Sequence, residues 1–142
     1  KEIAIVTLII IVAVSIGVYS VKNRETHTQR SAIEQSLEMK SSDEGGVVVE
    51  LTPLEVSKKN TEWKFSISLN THSADLSQDL AEVVVLVGED GTEYKPILYE
   101  GDGPGGHHRS GVLVFKRIES YPPTIKILVR EVGGIKERVF EW

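Results

Sequence analysis

Alternating apolar and polar positions in the last 96 residues, turn signals every 8–15 residues and an uncharged 19-residue run near the start predict the fold class. The chain reads as mainly β: an immunoglobulin-like β-sandwich of about seven strands, preceded by a long N-terminal hydrophobic helix. A length of 142 residues suits one domain with an appendage rather than two full domains. The absence of cysteine excludes disulfides, thiolate metal sites and a cysteine nucleophile. A net charge of −5 without a long basic run speaks against nucleic acid as a partner.

The uncharged run is Ile3 to Val21, IAIVTLIIIVAVSIGVYSV, with no Asn, Gln or Pro. As a helix it would span roughly 28 Å, close to the hydrocarbon thickness of a bilayer. Isoleucine and valine are poor helix formers in water, yet lipid leaves the backbone little alternative to helix. A cleaved signal peptide would carry a shorter apolar core, and a helix of a soluble core would have a polar face. Residues 1–21 are therefore expected as a transmembrane or filament-core helix. Its marker positions are Ile3, Ile10, Val14, Gly17 and, at interfacial depth, Tyr19. The expected partners are the membrane and other protein subunits or identical copies. Lys22, Arg24 and Arg30 follow the run and Lys1 precedes it, which by itself hints at a cytoplasmic C-terminal side. N-anchored sandwich domains are commonly extracytoplasmic, and that is the placement expected here.

Residues 22–46 read as a polar helical stalk and Gly-rich linker. Ile33 and Leu37 form a weak stripe at helical spacing, suited to packing against a partner or a copy. The helix is expected to stop near Ser41-Ser42-Asp43-Glu44-Gly45-Gly46, where short polar residues meet a glycine pair.

From Val47 to Trp142 the period is two. Trp63, Phe65, Ile67 and Leu69 alternate with Lys64, Ser66 and Ser68, the pattern of a half-buried strand. Further strands are expected at Val47–Leu51, Val83–Val87, Thr92–Tyr99, Gly111–Phe115, Thr124–Val132 and Ile135–Trp142. Gly88-Glu89-Asp90-Gly91 and Gly133-Gly134 supply hairpin turns. The expected core comprises Trp63, Phe65, Ile67, Val84, Leu86, Leu113, Phe115, Ile127, Val129 and Phe140. No convincing helix is seen in this part.

Chemistry concentrates in Gly101–Gly111, GDGPGGHHRSG. His107 and His108 lie within it, and His72 follows the best strand. Together with Asp102, or with Asp75, they form a candidate set of imidazole and carboxylate ligands suited to zinc or copper(II). Adjacent histidines on an extended chain point opposite ways, which favours a structural role for one of them. In that competing reading the loop is a compact excursion pinned by hydrogen bonds from histidine and Arg109. A third use is anion or ligand contact through Arg109 and the exposed N–H groups of Gly105 and Gly106. The glycines match no phosphate-binding motif, and no nucleophile–base or paired-carboxylate pattern is visible.

Two resemblances follow from these residues. Leu69-Asn70-Thr71-His72-Ser73 together with Gly105-Gly106-His107-His108-Arg109-Ser110-Gly111-Val112-Leu113-Val114-Phe115 resembles a small family of membrane-anchored sandwich domains of bacteria and archaea, to which no activity is attached. That resemblance covers about residues 47–142 and makes the His-rich loop the family's distinguishing feature. The overall plan is also similar to type IV pilins and archaeal pilus subunits, whose helix is held first in the membrane and then in the filament core. Bacterial pilins carry Glu at the fifth mature position, where this sequence has Ile5. The function expected is that of a non-catalytic accessory or interaction subunit of a membrane assembly. The alternatives are a pilin-like filament subunit and a His-based zinc- or copper-binding domain.

Overall fold

The computed structural model describes residues 38–142. The expected span, with Ile3, Ile10, Val14, Gly17 and Tyr19, and the stalk positions Ile33 and Leu37 lie outside the described residues. Among the described residues, no helix is long and apolar enough to cross a membrane.

The described chain forms nine strands and one turn of helix. In order these are β1 (Lys40–Glu44), β2 (Val47–Glu55), β3 (Glu62–Thr71), α1 (Leu80–Val83), β4 (Val84–Val87), β5 (Glu93–Tyr94), β6 (Leu98–Gly101), β7 (His108–Lys116), β8 (Lys126–Val132) and β9 (Ile135–Glu141). They build two antiparallel sheets, β1-β2-β3-β7-β6 and β5-β4-β8-β9. The mainly β architecture follows from the period of two. On β3, Trp63, Phe65, Ile67 and Leu69 are fully buried while their neighbours face outward. The inward residues of both sheets meet in one apolar core that contains every residue expected there. Phe65 and Phe115 cross edge to face at its centre, with ring centroids 5.8 Å apart.

Two expectations need correction. Lys40–Glu44, assigned to the stalk and linker, is a strand paired with β2 from Lys40↔Leu51 to Glu44↔Val47. Gly45-Gly46 is the two-residue hairpin turn between them, with φ of 54° and 71°. It has the same chemistry as Gly133-Gly134, at 62° and 71° between β8 and β9. β1 carries no buried apolar residue, so it shows no alternation that would mark it as a strand. The second correction concerns Thr92–Tyr99, expected as one strand. β5 belongs to the four-stranded sheet and β6 to the five-stranded one, with Lys95-Pro96-Ile97 between them. Pro96 has no N–H for a ladder, so the chain changes sheets where pairing is already interrupted. These changes raise the strand count from about seven to nine.

The sandwich has two distinguishable ends. At the Gly45 end lie the turns Gly45-Gly46 and Gly133-Gly134 and the segments after β3 and before β7. A Cβ on Gly45 would stand 2.0 Å from the Gly133 carbonyl oxygen, so the two turns touch and glycine is required. The opposite end carries Trp142, whose indole N–H donates to the Glu38 carbonyl at 2.6 Å. The described chain thus enters and leaves at the Trp142 end.

Arg138 of β9 joins the sheets near the Gly45 end. It lies in phase with Phe140, faces inward, and is 2% exposed. Nη1 donates to the Ser42 and Val47 carbonyls and the Ser42 hydroxyl, and Nη2 to the Glu44 and Val132 carbonyls, at 2.8–3.2 Å. Burial lowers its pKa, while Glu44 and Asp43 pull it upward. On the outer face of the four-stranded sheet, Arg130 bonds both Glu93 and Glu137. To reach Glu93 it crosses the row Val85–Leu128, whose members point outward yet are only 4% and 7% exposed.

Arg138→Ala should lower unfolding stability by about 3 kcal/mol, because four carbonyls, those of Val47 and Val132 in buried bonds, lose their shared donor. Denaturant titration of the full chain in mild detergent checks this. A loss below about 1 kcal/mol would mean that water replaces the guanidinium. The Arg130 hydrogen bonds hold the Glu93 carboxyl below its ordinary pKa. Its contribution is therefore present above the ordinary carboxylate range and lost as pH falls through the lowered folded value. Glu93→Gln should remove that part of the acid dependence, read as a smaller drop in Tm between neutral and acidic buffer.

Candidate functional site

The His-rich loop and the segment after β3 meet at the Gly45 end. Thr71, the last residue of β3, is 3% exposed. Its hydroxyl donates to the Gly46 carbonyl at 2.7 Å and accepts from the Ser73 and Ala74 N–H groups at 3.2 Å. This bends the chain out of the strand. The Thr71 N–H donates to the His107 carbonyl at 2.9 Å, extending the β3–β7 ladder by one bond.

The excursion from Gly101 to His107 is laced to the same segment. Leu76 N–H donates to the Gly106 carbonyl at 3.0 Å, and Gly105 N–H donates to the Leu76 carbonyl at 2.8 Å. The Gly106 N–H donates to Asp75 Oδ1 at 2.9 Å. Gly105 and Gly106 have φ of 109° and 79°, a backbone that side chains rarely tolerate. Both N–H groups expected to contact an anion are thus engaged within the fold.

Arg109 is the centre of this lacing. It lies in phase with Leu113 and Phe115 on β7, faces inward, and is 2% exposed. Nη1 donates to the Leu76 carbonyl at 2.9 Å and the Gln78 carbonyl at 2.6 Å, and Nη2 to the Asp102 carbonyl at 3.2 Å. Its Nε has no partner. The anion-contact reading of Arg109, Gly105 and Gly106 is corrected accordingly. The guanidinium is buried and spent on backbone carbonyls, so the pinned-loop reading describes Arg109.

The expected metal ligands are placed as follows. Among the described residues, no group of three or more His, Cys, Asp or Glu side chains is arranged to hold a metal ion. His108 Nδ1 lies 2.8 Å from Asn70 Oδ1, and since that oxygen only accepts, the imidazole donates. Asp102 turns its carboxylate to the Ser110 N–H at 2.8 Å and the Ser110 hydroxyl at 3.1 Å. His72 and His107 are exposed on neighbouring segments. The ladder sets the His108 contact: β3 and β7 hold Asn70 opposite His108, so His108 finds a cross-strand partner in the Asn70 amide.

Tyr99 completes the loop, its hydroxyl 3.2 Å from both the Asp102 and Ser110 carbonyls. Burial raises its pKa, with Arg109 pulling down and Asp102 pushing up. What this end of the domain offers chemically is a braced surface of exposed acidic and imidazole side chains, with the Arg109 and Arg138 guanidiniums turned inward. At the Trp142 end, Gly88, Asp90, Tyr94, Lys116, Arg117, Ile118 and Glu119 line an open depression of about 560 Å³.

Asn70, Thr71 and Arg138 escaped the reading of the sequence as site residues. Arg109 and Arg138 shared one legible signal: each is a charged residue in the apolar phase of its strand. Compared with known proteins, the chain matches no family model, no curated protein and no solved structure.

Arg109→Leu should keep the apolar contacts and release the loop. Amide exchange at Leu76 and Gly105 is expected to accelerate roughly 30- to 100-fold, with β3 core amides little changed. Unchanged exchange at those two amides would show that the glycine lacing alone holds the loop.

Proposed function

We propose that this chain is a single-pass membrane-anchored protein whose immunoglobulin-like sandwich stands outside the cytoplasm as a non-catalytic accessory or interaction subunit of a larger assembly. One observation carries the reading: an uncharged apolar run of bilayer length, Ile3–Val21, precedes a separate β domain. The strand order supports the immunoglobulin-like part. Setting β1 aside, β2-β3-β7-β6 and β5-β4-β8-β9 correspond to the A-B-E-D and C′-C-F-G sheets of that topology. The braced loops favour a display surface over a reactive centre, because Arg109, Asp102 and Asp75 are each engaged by backbone or by Ser110. The resemblance to membrane-anchored sandwich domains points the same way.

The chain contains no cysteine, so a single introduced thiol reports topology without background. Exposed Ser77 in the full chain, changed to cysteine (Ser77→Cys) and expressed in a bacterial host, should react with a membrane-impermeant maleimide on intact cells. The protein should remain in the membrane pellet after an alkaline carbonate wash. Release by carbonate overturns the anchor, and labelling only after lysis places the sandwich in the cytoplasm. Recovery in sheared filaments would select the pilin-like alternative.

A further inference from the structure

We infer that the sandwich rests against the surface of an anionic bilayer through the Trp142-end half of its five-stranded sheet's outer face. The inference rests on the membrane reading above. Residues 22–37 separate Val21 from the first described residue, a spacer of at most roughly 55 Å when fully extended. The described chain enters at the Trp142 end, so a bilayer holding Ile3–Val21 is the surface that end meets at high effective concentration.

The side chains there suit a lipid interface. Trp63, Phe65, Leu113 and Phe115 point into the core, so Lys64, Val114 and Lys116 point outward. Across β3, β7 and β6 the register sets Lys64, Val114 and Leu98 in one row. Leu98 is 48% exposed, Ile97 beside it 57%, and Leu54 of β2 52%. Sheet edges are common docking strands, but β6 is short and follows Pro96, which argues against pairing with an added strand. Lys64 is paired with Glu55 at 3.1 Å, so the free cations beside the exposed leucines and isoleucine are Lys58, Lys59 and Lys116. Apolar side chains bordered by lysine are the composition of an interfacial surface.

Charge orients the domain in the same sense. Lys58, Lys59 and Lys116 are exposed at the Trp142 end, and among the described residues none has a carboxylate within 4.0 Å. Acidic groups are also present there, Glu62, Glu89, Asp90 and Glu119 among them. The Gly45 end is far more one-sided. Asp43, Asp75, Asp79, Asp102 and Glu131 are exposed there with Lys136 as an exposed cation, while Arg109 and Arg138 are buried. An anionic surface therefore repels the Gly45 end more strongly than the other, where Lys58, Lys59 and Lys116 offset the acidic groups.

The test uses the full chain in vesicles of phosphatidylcholine with and without phosphatidylglycerol, spin-labelled singly at Leu54→Cys, Leu98→Cys or Ser77→Cys. With the anionic lipid, the labels at 54 and 98 should be about threefold or more accessible to oxygen than to a water-soluble nickel chelate, with the ratio reversed at 77. Changing Lys58, Lys59 and Lys116 together to glutamate should abolish the contrast at 54 and 98. Solvent-like labels at 54 and 98 on a carbonate-resistant chain overturn the docking and leave the anchor standing. Dipolar broadening between labels on different copies overturns it in favour of a copy–copy interface. A chain that leaves the vesicles overturns the anchor and the docking together.

Discussion

The fold turns on a buried cation, Arg138, that no carboxylate among the described residues approaches within 4.0 Å. Arg138 sits between the sheets, and its guanidinium is neutralised by carbonyl dipoles from β1, β2 and the end of β8. An edge strand exposes a row of unpaired carbonyls, and β1 is a polar edge strand with no apolar residue to hold it. Arg138 takes the Ser42 and Glu44 carbonyls in place of another strand. A lysine has too few donors, in the wrong geometry, to do the same. The hairpin contact between Gly45 and Gly133 lies at the same end, so packing and polar satisfaction reinforce each other there.

Arg109 repeats the device on β7. Both arginines face inward and bind backbone carbonyls, Arg138 those of strand residues Ser42, Glu44, Val47 and Val132 and Arg109 those of the irregular segments at Leu76, Gln78 and Asp102. Irregular segments at the end of a sandwich carry donors and acceptors that must be matched if they are covered. Here the matching uses the residues that looked most reactive in the sequence. The glycine-rich loop is thereby held by its own chemistry, and a held loop displays its surface side chains in a fixed arrangement.

The two ends of the sandwich differ in charge and in exposed apolar surface. Acidic side chains crowd the end built from tight turns, because the arginines that would offset them are drawn into the core. Exposed apolar side chains gather toward the other end, with Leu54, Ile97 and Leu98 on or beside the five-stranded sheet. On the four-stranded sheet Arg130 and its two glutamates cover Val85 and Leu128 of the outward apolar row and leave its third member, Val139, 54% exposed.

Much of this was legible in the sequence. The core was, because on β3 and β7 a period of two admits one pairing of faces, and Trp63, Phe65, Leu113 and Phe115 leave no choice of which side is buried. Gly133-Gly134 announced its hairpin because strands with strong alternation flank it. The identical pair Gly45-Gly46 did not, because Lys40–Glu44 has no apolar phase and becomes a strand only through its partners. The split of Thr92–Tyr99 between sheets depended likewise on pairing, with Pro96 as its one local trace. The loop residues were identified correctly as unusual, yet their roles depended on distance. His108 met Asn70, and Arg109 met Leu76, Gln78 and Asp102, through long-range register that spacing does not encode. The sequence by itself determined the β architecture, the residues of the core and an apolar run of bilayer length. Only the tertiary structure decided that His108 meets Asn70 and that two arginines are buried, because those outcomes depend on long-range register and on which backbone carbonyls the folded chain leaves without a partner.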